Sequence, residues 1–166
     1  GGYWLPARDA DPRVISLYER HYSALHRGNH RTGIAGPSER IVLLTERANA
    51  LFVWRLILRP DKRISQKARP DMRRVRRGNK PSAYFGGEQG IMCSVFRNES
   101  TILSSTLIIE AMEIAWRRWP GQRLFTYVWD SKVQSPNPGY CFKVAGWHYC
   151  GRNKDGRLSI LEVLPE

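Results

Sequence analysis

Arg123-Leu-Phe-Thr-Tyr-Val-Trp-Asp130 runs into a polar break, and the chain then continues as Ser135-Pro-Asn-Pro-Gly-Tyr-Cys-Phe-Lys-Val-Ala-Gly-Trp147. Leu124 to Val128 is apolar, aromatic and β-branched, which predicts a buried strand. Tyr140 to Ala145 predicts a short helix that stops at Gly146. Asp130 and Tyr140 fall at the mouth of the break. A strand that delivers a carboxylate to a loop, followed by a helix carrying a phenol, suits a transferase site.

Upstream, Leu103 to Trp119 predicts a long helix. Its buried face should carry Leu107, Ile108, Ala111, Ile114 and Ala115, its cap Ser100 or Ser104, and its stop Pro120-Gly121. Gly90 to Phe96 predicts a strand and Arg97 to Thr101 a polar turn. Arg40 to Leu44 and Ala50 to Ile57 predict an antiparallel hairpin turning through Glu46 to Asn49. Residues 3–12 read as irregular. Asp11 should cap a helix entered at Pro12, with Val14, Leu17, Tyr18, His21, Tyr22 and Leu25 on one face. Trp147 to Cys150 and Leu158 to Val163 should close the chain as a hairpin turning at 154–156. Helices alternate with the middle strands, so a parallel pair is expected within a mixed, mostly antiparallel sheet. The expected class is α/β, more narrowly α+β, in one domain.

The 166 residues carry 27 basic and 15 acidic side chains, a net charge of +12. A field of that sign favours polyanions, nucleic acid before anionic membrane. Between Arg59 and Lys80 ten basic residues face only Asp61 and Asp71, which gives +8 of the total. Pro60, Pro70, Gly78 and Pro81 punctuate this stretch and apolar residues are few, so it is expected as a loop insertion over 59–89. Arg63, Lys67, Arg69, Arg73, Arg74, Arg76, Arg77 and Lys80 are its candidate phosphate contacts. The three cysteines form no CxxC pair and no secretory leader is visible, so a reducing cytoplasm is expected. No apolar run reaches the roughly 20 residues that span a bilayer, and no membrane partner is expected.

The order of elements resembles the GNAT acyltransferase fold over residues 40–58 and 90–163. Asn137-Pro138 through Gly146-Trp147 is similar to the helix of that superfamily that opens with Asn-Pro and closes with Gly and an aromatic residue. Arg97-Asn-Glu-Ser-Thr-Ile-Leu-Ser-Ser105 departs from it. Ile102 and Ser104 stand where glycines normally leave room for the pyrophosphate of coenzyme A, so a smaller anion such as a carboxylate suits this turn better. A narrower resemblance rests on His21-Tyr22-Ser23, Phe96-Arg97-Asn98, Ser104-Ser105, Tyr127 to Asp130, and Asn137-Pro-Gly-Tyr-Cys-Phe-Lys143. Together these resemble the Mom DNA-modification proteins of Mu-like bacteriophages. Those place a carbamoylmethyl group on the exocyclic amine of adenine and shield phage DNA from host restriction.

That resemblance implies a transferase in the host cytoplasm, with double-stranded DNA and a small-molecule donor as partners. The donor would be an acyl-coenzyme A or a glycine-like molecule; iron is an implied cofactor, and a homodimer is compatible. Asp130, with His21 or Tyr22, would deprotonate the amine, or Asp130 and His21 would hold the metal. Tyr140 would pass a proton, and Arg97, Ser104 and Ser105 would hold the donor's anionic end. Each has a plainer reading: Asp130 as a turn cap, Tyr140 as a core aromatic, His21 as a structural histidine, Ser104 or Ser105 as a helix cap. Cys141, His148 and Cys150 suggest zinc only weakly, since a fourth ligand is missing. Of the tryptophans, Trp129 is the one placed to stack on an extruded base. Two other functions compete: an acetyl-coenzyme A-dependent N-acetyltransferase acting on a small amine or RNA, and a non-catalytic DNA-binding protein on a degenerate scaffold.

Overall fold

The structure, a computed structural model, describes residues 2–21, 34, 39–57, 88–132, 137–153 and 156–166. Its elements are β1 (Trp4–Ala7), α1 (Pro12–Glu19), β2 (Arg40–Thr45), β3 (Ala50–Ile57), β4 (Gly90–Asn98), α2 (Ser104–Arg118), β5 (Leu124–Trp129), a 3-10 turn (Asp130–Lys132), α3 (Tyr140–Val144), β6 (His148–Arg152) and β7 (Leu158–Val163). The strands form one seven-stranded sheet in the order β1-β2-β3-β4-β5-β7-β6. Among the described strands only β4 and β5 run parallel. This is the mixed, mostly antiparallel α+β architecture that the sequence predicts.

Alternation along the strands sorts the core into two faces. Phe52, Trp54, Leu124, Val128 and Leu161 point to the face covered by α2 and α3, where they meet Leu107, Ile108, Ala111, Phe142 and Trp147. Val42, Leu44, Leu51, Val53 and Val95 point to the other face and receive Val14 and Leu17 of α1. Two indoles are satisfied inside the first core: Trp54 Nε1 donates to Ala111 O at 3.0 Å and Trp4 Nε1 to Leu107 O at 2.8 Å.

Several expectations are corrected. Residues 3–12 are not irregular throughout, because Trp4 to Ala7 add an edge strand to β2. Pro6 is tolerated there since an edge strand can spare one donor. Helix α1 stops at Glu19, short of the predicted stripe. Arg20 N and His21 N bond back to Leu17 O and Tyr18 O, a tightened last turn. Leu25 lies outside the described residues, as do residues 154 and 155 of the expected final turn. β4 runs on to Asn98, so Arg97 and Asn98 belong to a strand. Neither Ser100 nor Ser104 caps α2: the N-cap is Leu103, without a side-chain bond, and Ser104 is the first helical residue. Met112 is buried on α2, whereas Ile114 is only partly so.

β4 and β5 stay together for three rungs, Ile91–Leu124, Met92–Phe125 and Cys93–Thr126. The last rung is tied by Thr126 Oγ1, which donates to Cys93 O at 2.9 Å. There β4 bulges: Trp54 pairs with Cys93 and Val53 with Val95, leaving Ser94 as the extra residue. A bulge bends its strand and sharpens the local twist. Beyond it, Val95 to Asn98 stay paired with β3 and Tyr127 to Trp129 with β7, but not with each other. The one parallel pair thus opens into a gap at its C-terminal end.

Candidate catalytic cleft

Helix α3 lies across this gap. Gly139, just before it, has φ of 77°, and a Cβ there would stand 2.5 Å from Leu161 Cδ1 and 3.4 Å from Val128 Cγ2. The backbone of Gly139 therefore rests on Leu161 of β7 beside Val128 of β5, which is why glycine stands here. Phe142 reaches the other side of the gap, edge-on to Phe96 of β4 at 5.9 Å and to Trp147 at 4.9 Å. Tyr140, between these two anchors, is 60% exposed.

The turn from β4 to α2 closes without glycine because Asn98 fills it. Asn98 Nδ2 donates to Ile102 O at 2.8 Å and to Ser104 Oγ at 3.0 Å. Its Oδ1 accepts from Ser100 N at 2.9 Å and Ser100 Oγ at 2.5 Å. Glu99 N adds a bond to Asn49 O at 2.7 Å. One carboxamide thus does the work that a glycine-rich loop does by backbone freedom alone. Ser104 and Ser105 open α2, whose first amides have no partners within the helix.

On the α1 face, Glu99 joins two arginines. Arg20 grips it through Nε at 2.6 Å and Nη2 at 2.8 Å, and Arg97 Nε reaches it at 3.1 Å. The Arg20 hydrogen bond, aided by Arg97, holds the Glu99 carboxyl below its usual range. His21 follows at once in sequence and is bonded to the Phe96 backbone. Burial, reinforced by the Arg97 charge, pushes its imidazole down to about 4, so it is neutral at pH 7.

Asp130 opens the 3-10 turn just past β5, and its carboxylate reaches Ser159, the β7 partner of Val128, on the face of α2 and α3. Ser159 Oγ donates to Oδ1 at 2.9 Å and Oδ2 at 2.8 Å, and Arg152 Nη2 lies 3.0 Å from Oδ2. The carboxylate therefore pins the end of β5 to β7 and β6. The structure brings His21 to Arg97, and Ser104 to the end of β4. It leaves Asp130 and Tyr140 on the opposite face from His21. Tyr22 and the basic residues from Arg63 to Lys80 lie outside the described residues.

The implied iron finds no ready site here. His21 stands beside a cationic guanidinium, and Asp130 is engaged by Ser159 and Arg152 on the other face. Among the described residues no three His, Cys, Asp or Glu side chains converge. That holds for Cys141, His148 and Cys150 as well, where Cys150 Sγ instead contacts Ile160 O at 3.5 Å and Arg123 Nη2 at 3.6 Å. Among the described residues no helix is long and apolar enough to cross a membrane.

Glu99, Ser159 and Arg152 were not singled out by sequence reasoning. Ser159 left the only signal, a polar residue at an inward position of an apolar strand. Glu99 and Arg152 are ordinary surface charges until folding supplies their partners.

Compared with protein-family models, with curated proteins and with solved structures, the chain finds no match in any of the three. The fold by itself defines the class: an α+β domain whose mostly antiparallel sheet opens at its single parallel pair, with one short helix laid over the opening.

Proposed function

We propose that this chain is a DNA base-modifying transferase of the Mom kind, on a GNAT-like scaffold, acting on the exocyclic amine of adenine. The observation that carries the reading is the gap opened at Ser94, flanked by α3 on one side and by the start of α2 at its mouth. An open parallel pair beside a helix N-terminus is where α/β proteins tend to hold small ligands. The second support is the charge, +12 overall with the basic excess packed between Arg59 and Lys80.

In this reading the donor's anionic end lies by Arg97, Ser104 and Ser105. The adenine leaves the stack, because its amine is shielded within the duplex. The new bond forms between that nitrogen and the donor's methylene carbon, the donor's leaving group departs, and the nitrogen gives up one proton. Alkylation makes that nitrogen strongly acidic, so the proton passes readily to water at the exposed side of α3. Asp130 orients the end of β5. The basic segment grips backbone phosphates. It leaves β3 after Ile57, opposite Gly90, at the far end of β4 from the gap. Ser94 lies four residues from Gly90 and Asn98 eight, so the gap runs from about 13 to about 26 Å from the root. The 30 residues from 58 to 87 can reach roughly 50 Å out and back, enough to cover that distance.

The test is nucleoside mass spectrometry on plasmid DNA from cells expressing the protein. The expected product is an adenosine heavier by one carbamoylmethyl group, lost in Asp130→Ala while DNA binding persists. Unmodified DNA from cells holding folded protein would overturn the reading. Tight coenzyme A binding in calorimetry would move it to a conventional N-acetyltransferase.

A further inference from the structure

We propose that the ring of Tyr140, rather than its hydroxyl, is the working part of this residue: a stacking platform for an adenine displaced from duplex DNA. This rests on the function proposed above and names the side chain that meets the substrate base.

Three large aromatic side chains are exposed among the described residues: Tyr3, Tyr140 and Tyr149. Tyr3 precedes β1 and Tyr149 lies on β6, and these strands are the two outer edges of the sheet. Tyr140 alone of the three stands beside the gap. Trp129, the aromatic that the sequence favours for stacking, is partly buried and already has a partner.

The surroundings of Tyr140 suit a platform. Its hydroxyl has no hydrogen-bond partner among the described residues, so nothing there prepares it to pass a proton. Val144, one helical turn on and on the same side, is 52% exposed and extends the apolar surface. The backbone beneath is clamped, with Gly139 seated on Val128 and Leu161 and Phe142 buried on the far side of the helix. A ring on a clamped helix loses little freedom when a base stacks on it. Lys143 adds a cation beside it, its Nζ 2.7 Å from Asn137 Oδ1. With the chain at +12, the complementary occupant is a polyanion that carries flat bases.

The test compares two duplexes at low salt, one with a single bulged adenine and one with an abasic nucleotide at the bulge. The native protein and Tyr140→Phe should bind the bulged adenine about tenfold more tightly than the abasic bulge. Tyr140→Ala and Tyr140→Leu should bind both alike, with unchanged melting temperatures because the side chain is exposed. A preference that survives in Tyr140→Ala, or that is lost in Tyr140→Phe, would overturn the platform. Native protein that binds both duplexes without preference also removes the platform but leaves DNA as the substrate. Native protein that binds neither removes the DNA reading itself, and stronger binding to single-stranded RNA than to either duplex would reassign the base to RNA.

Discussion

A half-buried imidazole next to a guanidinium resists a second positive charge, and His21 is in that position. Its folded value is depressed to about 4 from an ordinary 6.5. The unfolded chain therefore binds the proton first as pH falls. The stability that neutral His21 protects is complete above pH 6.5 and is lost progressively as pH drops through about 4. The loss should be on the order of 1 to 3 kcal/mol and should be absent in His21→Asn, as read from urea midpoints across pH. The His21 ring protons should also keep their neutral shifts in NMR spectra down to pH 5. Titration at the ordinary histidine value would remove the contact with Arg97. Asp130 shows the same dependence on neighbours: Ser159 and Arg152 hold its carboxylate.

Between elements, the decisive contact is the seat of α3 on the opened sheet. Gly139 and Gly121 provide an internal comparison. Both have positive φ, 77° and 74°, but an added Cβ meets nothing within 4 Å at Gly121 and crowds Leu161 at Gly139. Gly121→Ala should cost about 1 kcal/mol from backbone strain alone. Gly139→Ala should cost more, about 2 to 3 kcal/mol, and should also lower transferase activity by shifting α3 over the gap. Equal losses in chemical denaturation would mean that Gly139 is not in close contact with β5 and β7. The bulge at Ser94 and the Asn98 network have complementary effects: the first separates the strands, and the second holds the helix that opens beside the gap.

For the molecule as a whole, charge should set the affinity for DNA. Each cation that neutralises a phosphate adds about 0.9 to the slope of log affinity against log salt. Replacing Arg73, Arg74, Arg76 and Arg77 with Gln should reduce that slope by roughly 3 to 4 and weaken binding alike for all sequences. Fluorescence anisotropy at several salt concentrations measures both. An unchanged slope would place the DNA on another surface.

The amino-acid sequence by itself determined which segments become strands and helices, because burial period and helix stops are local. Leu124 to Val128, the 40–57 hairpin and Pro12 behind Asp11 were all legible for that reason. The concentration of charge between Arg59 and Lys80 was equally plain. Trp4 to Ala7 was not, because four residues with a proline become a strand only when β2 offers its edge. The early end of α1, the place of β7 between β5 and β6, and the bulge at Ser94 were decided by tertiary pairing. So was the division of the candidate residues, with His21 and Arg97 on one face and Asp130 and Tyr140 on the other. Spacing along the chain names residues of the right chemistry, but which ones meet depends on strand order and register, and those are set by contacts between segments far apart in sequence.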